Sequence, residues 1–364
     1  MLFGFVACLA LVGLLEGVLR IAGLPTGRFG IVFEERDLLY APSQRRIARW
    51  GSVEYVVETN AFGMRSPEIA LKKPPGVTRI ATVGDSVTDG FFVDNDQTYP
   101  AWLLRTLVEN GFRVEVLNAA KAGGTIDRQL RIVRRIAPLA PDVVLITFVT
   151  NDIADLLKMT RADLLDPEPQ RSAPFLQSLF GSTAIGELAF STYLRMRSTA
   201  PPITAPSHQD RPQVGDGRYD IPGGIAFEDN AKAFFRRYGD TDGLVLQQQA
   251  SAAVEVGIQN YFVVLEAVHE LCRQLGVELV LAYYPAYPEI YDELTPSIMR
   301  SRLAQWCVNQ RVRFLDLTMT FRKQPRERAL HLAPVDFHLN PEGNRVLGEA
   351  VAKFLIAERL VGDR

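Results

Sequence analysis

Four short segments carry the residue types that acyl transfer needs. These are a hydroxyl that attacks, an imidazole that takes its proton, and N–H donors where negative charge gathers on oxygen. The first segment is Gly84-Asp85-Ser86, at the end of the apolar run "RIATV". The second is Asn118 followed by "AAKAGG", which contains Gly123 and Gly124. The third is Thr150-Asn151-Asp152, and the fourth is "PVDFHLNPEGN", with Asp336, His338 and Asn340. Taken singly, each has an ordinary explanation. Ser86 suits a helix start, Gly123 a turn, Asn151-Asp152 a helix N-cap after a strand, and His338 a loop. Of the four histidines, His208 lies in a loop-rich excursion, His269 in a helical stretch and His331 in an apolar context. His338 is the one placed after the last strand and just before "NPEG", where the closing helix starts. The order of the four segments carries the inference.

The elements that must position them read clearly. Short apolar runs end in Gly, Asn or Pro: "RIATVG" (79–84), "RVEVLN" (113–118), "DVVLITFV" (142–149), "VELVLAYY" (277–284) and "VRFLDL" (312–317). They are rich in Val, Ile and Leu and do not alternate, as strands buried on both faces should not. Between them lie helical patterns: "YPAWLLRTLVEN", "DRQLRIVRRIAPL", "IQNYFVVLEAVHELCRQLG" and "RSRLAQWCVNQ". A helix-like "FRKQPRERAL" and a closing "PEGNRVLGEAVAKFLIAERL" follow. The alternation predicts an α/β fold, a flavodoxin-like doubly wound five-stranded parallel sheet. In such a sheet ligands bind beyond the carboxyl ends of the strands, where all four segments would converge.

Other regions set bounds. The chain has 364 residues, 47% of them hydrophobic, and a formal net charge of −2, which offers nucleic acid no electrostatic footing. Histidines and cysteines are too scattered for a metal site, no cofactor is implied, and no Gly-rich loop ends in Gly-Lys-Ser/Thr. Cys8, Cys272 and Cys307 form no disulfide framework, although an oxidising compartment leaves a Cys272–Cys307 bridge open. The opening "MLFGFVACLALVGLL" has no charged side chain and would make a helix of about 22 Å, short of a ~30 Å hydrocarbon core. Continuing through "EGVLRIAGL" completes a span, so residues 1–24 are expected to be a single membrane anchor rather than a cleaved signal or a core helix. Residues 25–78 form an N-terminal extension of short strands and loops, and 79–364 the main domain. That domain is interrupted by an insertion at about 155–252, containing an apolar stretch (173–197) and a Pro/Gly-rich one (198–224). The insertion is either a lid or an element without catalytic role.

With these blocks in this order, residues 79 to 356 resemble the SGNH, or GDSL-like, hydrolases, and "TNAFGMRSPEI" resembles the lead-in of anchored members. The resemblance implies a serine esterase that forms an acyl-enzyme on Ser86. The oxyanion would be held by the N–H groups of Ser86 and Gly123 and by the Asn151 amide. His338 would be the general base, and Asp336 the carboxylate that orients it. Two departures stand out: Val149 occupies a position where many members have glycine, and Val335 stands where the carboxylate of Asp-x-x-His is usual, leaving Asp-x-His. The implied substrate is a lipid or carbohydrate ester. An O-acyltransferase acting on a glycan, or a catalytically silent glycan- or partner-binding member, are the alternatives. Anchored members usually face outward, so a periplasmic or extracellular domain is expected.

Overall fold

The computed structural model describes residues 2–21, 38–50, 53–160, 164–165, 185, 227–325, 328–333 and 336–362. Five parallel strands build one sheet: β3 (Thr78–Val83), β4 (Val114–Asn118), β5 (Val143–Phe148), β6 (Glu278–Tyr283) and β7 (Arg313–Asp316). Their order is β4-β3-β5-β6-β7, with every neighbouring pair parallel. This is the flavodoxin-like order, and its reversal point falls between β3 and β5. The strands begin and end within two residues of the expected limits.

Alternate residues of each strand point to opposite faces, and both faces are apolar. Val144, Ile146 and Phe148 of β5 join one hydrophobic layer, with Ala81, Val83, Leu279 and Leu281. Val143 and Leu145 join the other, with Ile80, Val280 and Ala282. The first layer is closed by α4 (Ile126–Ile136), α6 (Ala252–Leu275) and α8 (Ile298–Gln310). The second is closed by α3 (Tyr99–Glu109) and α10 (Pro341–Ala357). Two-sided burial explains why the strands read as unbroken apolar runs; only the edge strand β7 is half-buried throughout. The helices start where capping chemistry says they should. Ser251 accepts from Val254 N–H ahead of α6, and Asn340 accepts from Gly343 N–H ahead of α10, with Pro341 at the first helical position.

Three expectations need correction or restriction. The helix-like "FRKQPRERAL" is not helical throughout: α9 covers only Thr318–Arg322, and Pro325 opposes any continuation by lacking an N–H and disfavouring helical geometry before it. Cys272 and Cys307 are free, buried thiols on the same side of the sheet, and burial pushes each up to about 12. At the N-terminus a helix does form, α1 (Leu2–Ile21), yet among the described residues no helix is long and apolar enough to cross a membrane. The two insertion stretches at 173–197 and 198–224 lie outside the described residues, apart from Ile185.

The described end of the insertion re-enters as α5 (Phe227–Tyr238), followed by a tight 3-10 turn, Asp242–Val245. Upstream of the sheet, β1 (Arg45–Trp50) and β2 (Val53–Glu58) form an antiparallel hairpin. Ala48, Tyr55 and Val57 of this hairpin pack with Tyr40 against Phe92 and Leu332. The extension thus leans on the two loops that carry the candidate site.

Candidate active site

Strand β3 ends at Val83, and a single turn of helix, α2 (Ser86–Asp89), begins almost at once. Asp85 caps it by accepting from Val87 N–H at 3.0 Å, and Gly90, at φ +80°, ends it. The reversal is so tight that a Cβ on Gly84 would stand 2.2 Å from Thr88 Oγ1. Only glycine fits there. This sharp exit leaves the half-buried Ser86 hydroxyl at the carboxyl end of the sheet, beside the reversal point.

The turn is braced from the extension. Arg65 and Asp89 form an ion pair at 3.7 Å, both side chains 1% exposed. The same guanidinium donates to the carbonyls of Asp89 (2.8 Å), Gly90 (2.9 Å) and Val93 (2.7 Å). Buried charge of this kind is tolerable only when its donors are satisfied, and here most of the fork is in use. Tyr40 adds a hydroxyl bond to Asp89 at 2.6 Å.

His338 arrives from a small hairpin between α9 and α10. Leu332 N–H donates to His338 O at 3.0 Å, and His331 bridges antiparallel to Leu339. The His338 Nε2 lies 2.9 Å from Ser86 Oγ. On the other side of the ring, Nδ1 lies 2.5 Å from Asp336 Oδ1, and that oxygen also accepts the His338 backbone N–H at 3.0 Å. The Asp-x-His spacing brings the two groups into contact: the carboxylate folds onto the residue two ahead, as in an Asx turn, and meets both its backbone and its ring. The hydroxyl has a second acceptor, Asp85 Oδ2 at 3.3 Å, but the imidazole is nearer.

Electrostatics follow from these contacts. Burial alone would lower the proton affinity of His338, but the hydrogen bond and charge of Asp336, with the charges of Asp85 and Asp242, outweigh it and hold the imidazole above its ordinary value. Burial opposes the charge on Asp336 too, yet the His338 contacts and Arg237 keep its carboxyl below the usual range. Burial pushes Asp85 and Asp242 upward, although each is hydrogen-bonded.

Asn151 sits in the 3-10 turn Thr150–Ile153, directly after β5, and its amide donates to Asp85 Oδ2 at 3.2 Å. Ser86, Asn151 and His338 line one cleft, and Asp336 stands behind the imidazole. Gly123 is not among the residues lining that cleft. It occupies a turn closed by Gly124 N–H to Lys121 O at 3.1 Å, with a φ of +75° that calls for glycine. The turn does touch the serine segment, because Ala122 N–H donates to Asp89 Oδ2 at 3.3 Å. Val149, the residue noted above as a departure from the resembled family, is buried and forms part of the cleft wall.

Several site residues escaped the sequence analysis. Phe91 and Phe92 pack on His338 with ring centroids 5.5 and 5.3 Å away. Phe92 holds φ +74°, a conformation that costs a bulky residue about 1–3 kcal/mol, and its ring is buried in the cluster formed with β1 and β2. From the insertion come Phe234, Tyr238 and Asp242, all lining the cleft. Asp242 is held by Thr150 Oγ1 at 2.7 Å and Thr241 Oγ1 at 3.0 Å. The available signal was the pattern "AKAFFRRY", aromatics four apart on a helical segment, but nothing local says what they would face.

Residues 82–209 match the GDSL-like lipase/acylhydrolase family. The matched stretch includes Ser86, Gly123 and Asn151 and ends well before Asp336 and His338, which the geometry alone ties to it. Among solved structures, the chain resembles the lipase/acylhydrolase from Enterococcus faecalis at 13% identity, covering 79% of this chain and 98% of that one, with a TM-score of 0.39. It also resembles Axe2, an acetylxylan esterase from Geobacillus stearothermophilus, at 15% identity over 79% and 95% of the two chains, with a TM-score of 0.40. Likenesses this distant carry no weight for function. A search of curated protein sequences returns no match.

Proposed function

We propose that the protein is a serine hydrolase that cleaves carboxylic esters through an acyl-enzyme. The observation that carries this reading is the continuous chain from Ser86 Oγ to His338 Nε2 (2.9 Å) and from Nδ1 to Asp336 (2.5 Å). His338 takes the Ser86 proton as the hydroxyl attacks the ester carbonyl, and Asp336 stabilises the resulting imidazolium. The oxyanion is met by the N–H of Ser86 and by the Asn151 amide, both on the cleft wall, donors that each contribute about 10²–10³ in turnover; Gly123, outside that lining, is given no part. The imidazolium then protonates the leaving alcohol. Water, activated by the same histidine, releases the acid and restores Ser86.

The test is labelling with a fluorophosphonate, followed by mapping of the modified residue, alongside cleavage of a short-chain aryl ester. Label on Ser86, and loss of both label and turnover in Ser86→Ala, are expected. Undiminished turnover in that variant would sink the assignment.

Membrane attachment through residues 1–24, with the catalytic domain facing outward, belongs to the same proposal. Support comes from the apolar sequence and from Leu11, Leu14, Leu15 and Val18 of α1, which are all exposed rather than packed on a core. Release of the protein into the soluble fraction without detergent would count against it.

A further inference from the structure

The helix that the insertion contributes does more than wall the cleft. Phe234 and Tyr238 of α5 meet the ring of Phe337 edge-on, with centroids 5.2 and 5.9 Å away, and Phe337 stands between Asp336 and His338 in the chain. Next to this apolar contact, the two oxygens of Asp336 are divided between two elements. Oδ1 serves His338, through the ring and the backbone N–H. Oδ2 takes Arg237 Nη2 at 3.1 Å and the Tyr238 hydroxyl at 3.3 Å, both from α5.

We propose that Arg237 is a positioning residue for His338: α5, docked on Phe337, uses it to hold the far oxygen of Asp336 and to moderate the negative charge that the carboxylate shows the imidazole. The inference rests on the reading of His338 as the general base. The physical need comes from the short Asp-x-His spacing. Both side chains leave one small loop, so no strand fixes the carboxylate, and a carboxylate free to turn would offer Nδ1 a changing partner. Two donors on Oδ2 remove that freedom. A guanidinium at this distance also competes with the imidazolium for the same charge, so it acts against protonation of His338.

The other groups around the imidazole bound how large this effect can be. Asp85 comes from the serine turn and Asp242 from the turn after α5, and both favour the charged ring. His331, on the opposite arm of the hairpin, interacts with His338 but is itself held neutral by burial. Tyr238 faces Asp336, and Phe91 and Phe92 are apolar. None of these is removed when Arg237 is changed.

The test is the pKa of His338, followed by NMR with labelled histidine, in the full chain and in Arg237→Met and Arg237→Lys. Arg237 is 34% exposed, so both substitutions should leave the fold intact. In Arg237→Met the His338 pKa should rise by roughly one unit, and the acid limb of kcat/KM for an aryl ester should move up with it while KM changes little. Arg237→Lys should restore most of the original value. A pKa that stays put or falls in Arg237→Met, or equal shifts in both variants, overturns the inference even if Ser86-dependent turnover is normal. A rise in pKa in a protein without Ser86-dependent turnover supports the coupling and overturns the esterase reading instead.

Discussion

His331 and His338 occupy opposite arms of one short hairpin, and both rings are enclosed by aromatic side chains. Tyr287 and Tyr291 surround His331 at 5.2 and 6.1 Å between centroids, much as Phe91 and Phe92 surround His338. The polar partners differ. The Nε2 of His331 meets the Tyr284 hydroxyl at 2.9 Å, and its Nδ1 has no hydrogen-bond partner among the described residues. Burial, helped by the charge of His338, pushes it down to about 3. His338 has Asp336 on one nitrogen and Ser86 on the other and is moved the opposite way. Enclosure is common to both, so what separates the two imidazoles is the carboxylates, Asp336 first and then Asp85 and Asp242, that act on His338.

The largest expected effect comes from erasing that difference. In Asp336→Asn the amide keeps the shape but loses the charge. Turnover of an aryl ester should then fall by about 10³–10⁴, and the His338 pKa should drop, with only Asp85 and Asp242 left to favour the charged ring. A loss of less than about tenfold would show that the charge of Asp336 is not what readies the imidazole.

A smaller effect should appear in the unaltered protein. His338 must be neutral to accept the Ser86 proton, and its pKa is raised, so kcat/KM should fall as pH drops through a limb lying above about 6.5. A profile flat down to pH 5 would break the comparison from this side.

The smallest effect on catalysis should come from His331→Phe. A ring that is neutral at working pH carries no charge to remove, so the acid limb should stay where it was. The Tyr284 hydroxyl would lose its partner, at a cost of about 1–3 kcal/mol in stability by denaturant unfolding. A shifted limb with unchanged stability would reverse the roles assigned to the two histidines.

The sheet was legible because its inner strands are buried on both faces and flanked by helices, conditions that leave long apolar runs such as "DVVLITFV". Ser86, Asn151 and His338 were legible from their places after successive strands. Arg237, Tyr238 and Asp242 were not. They belong to an insertion whose sequence shows no strand pattern, and a helix carrying Phe234 and Tyr238 reads the same whether it faces solvent, a core or a cleft. Phe92 was hidden for another reason: its ring packs against a hairpin more than thirty residues upstream.

The sequence by itself determined the order of strands and helices, the glycine at position 84 and the chemical groups available at each strand end, because local propensity and burial pattern act over a few residues. Only the tertiary structure decided which element holds the far oxygen of Asp336, which histidine meets the Ser86 hydroxyl and which element of the insertion touches the site. Those outcomes depend on distances of about 3 Å between segments far apart in the chain, and a hydrogen bond or an ion pair has no signature in sequence until folding brings its two halves together.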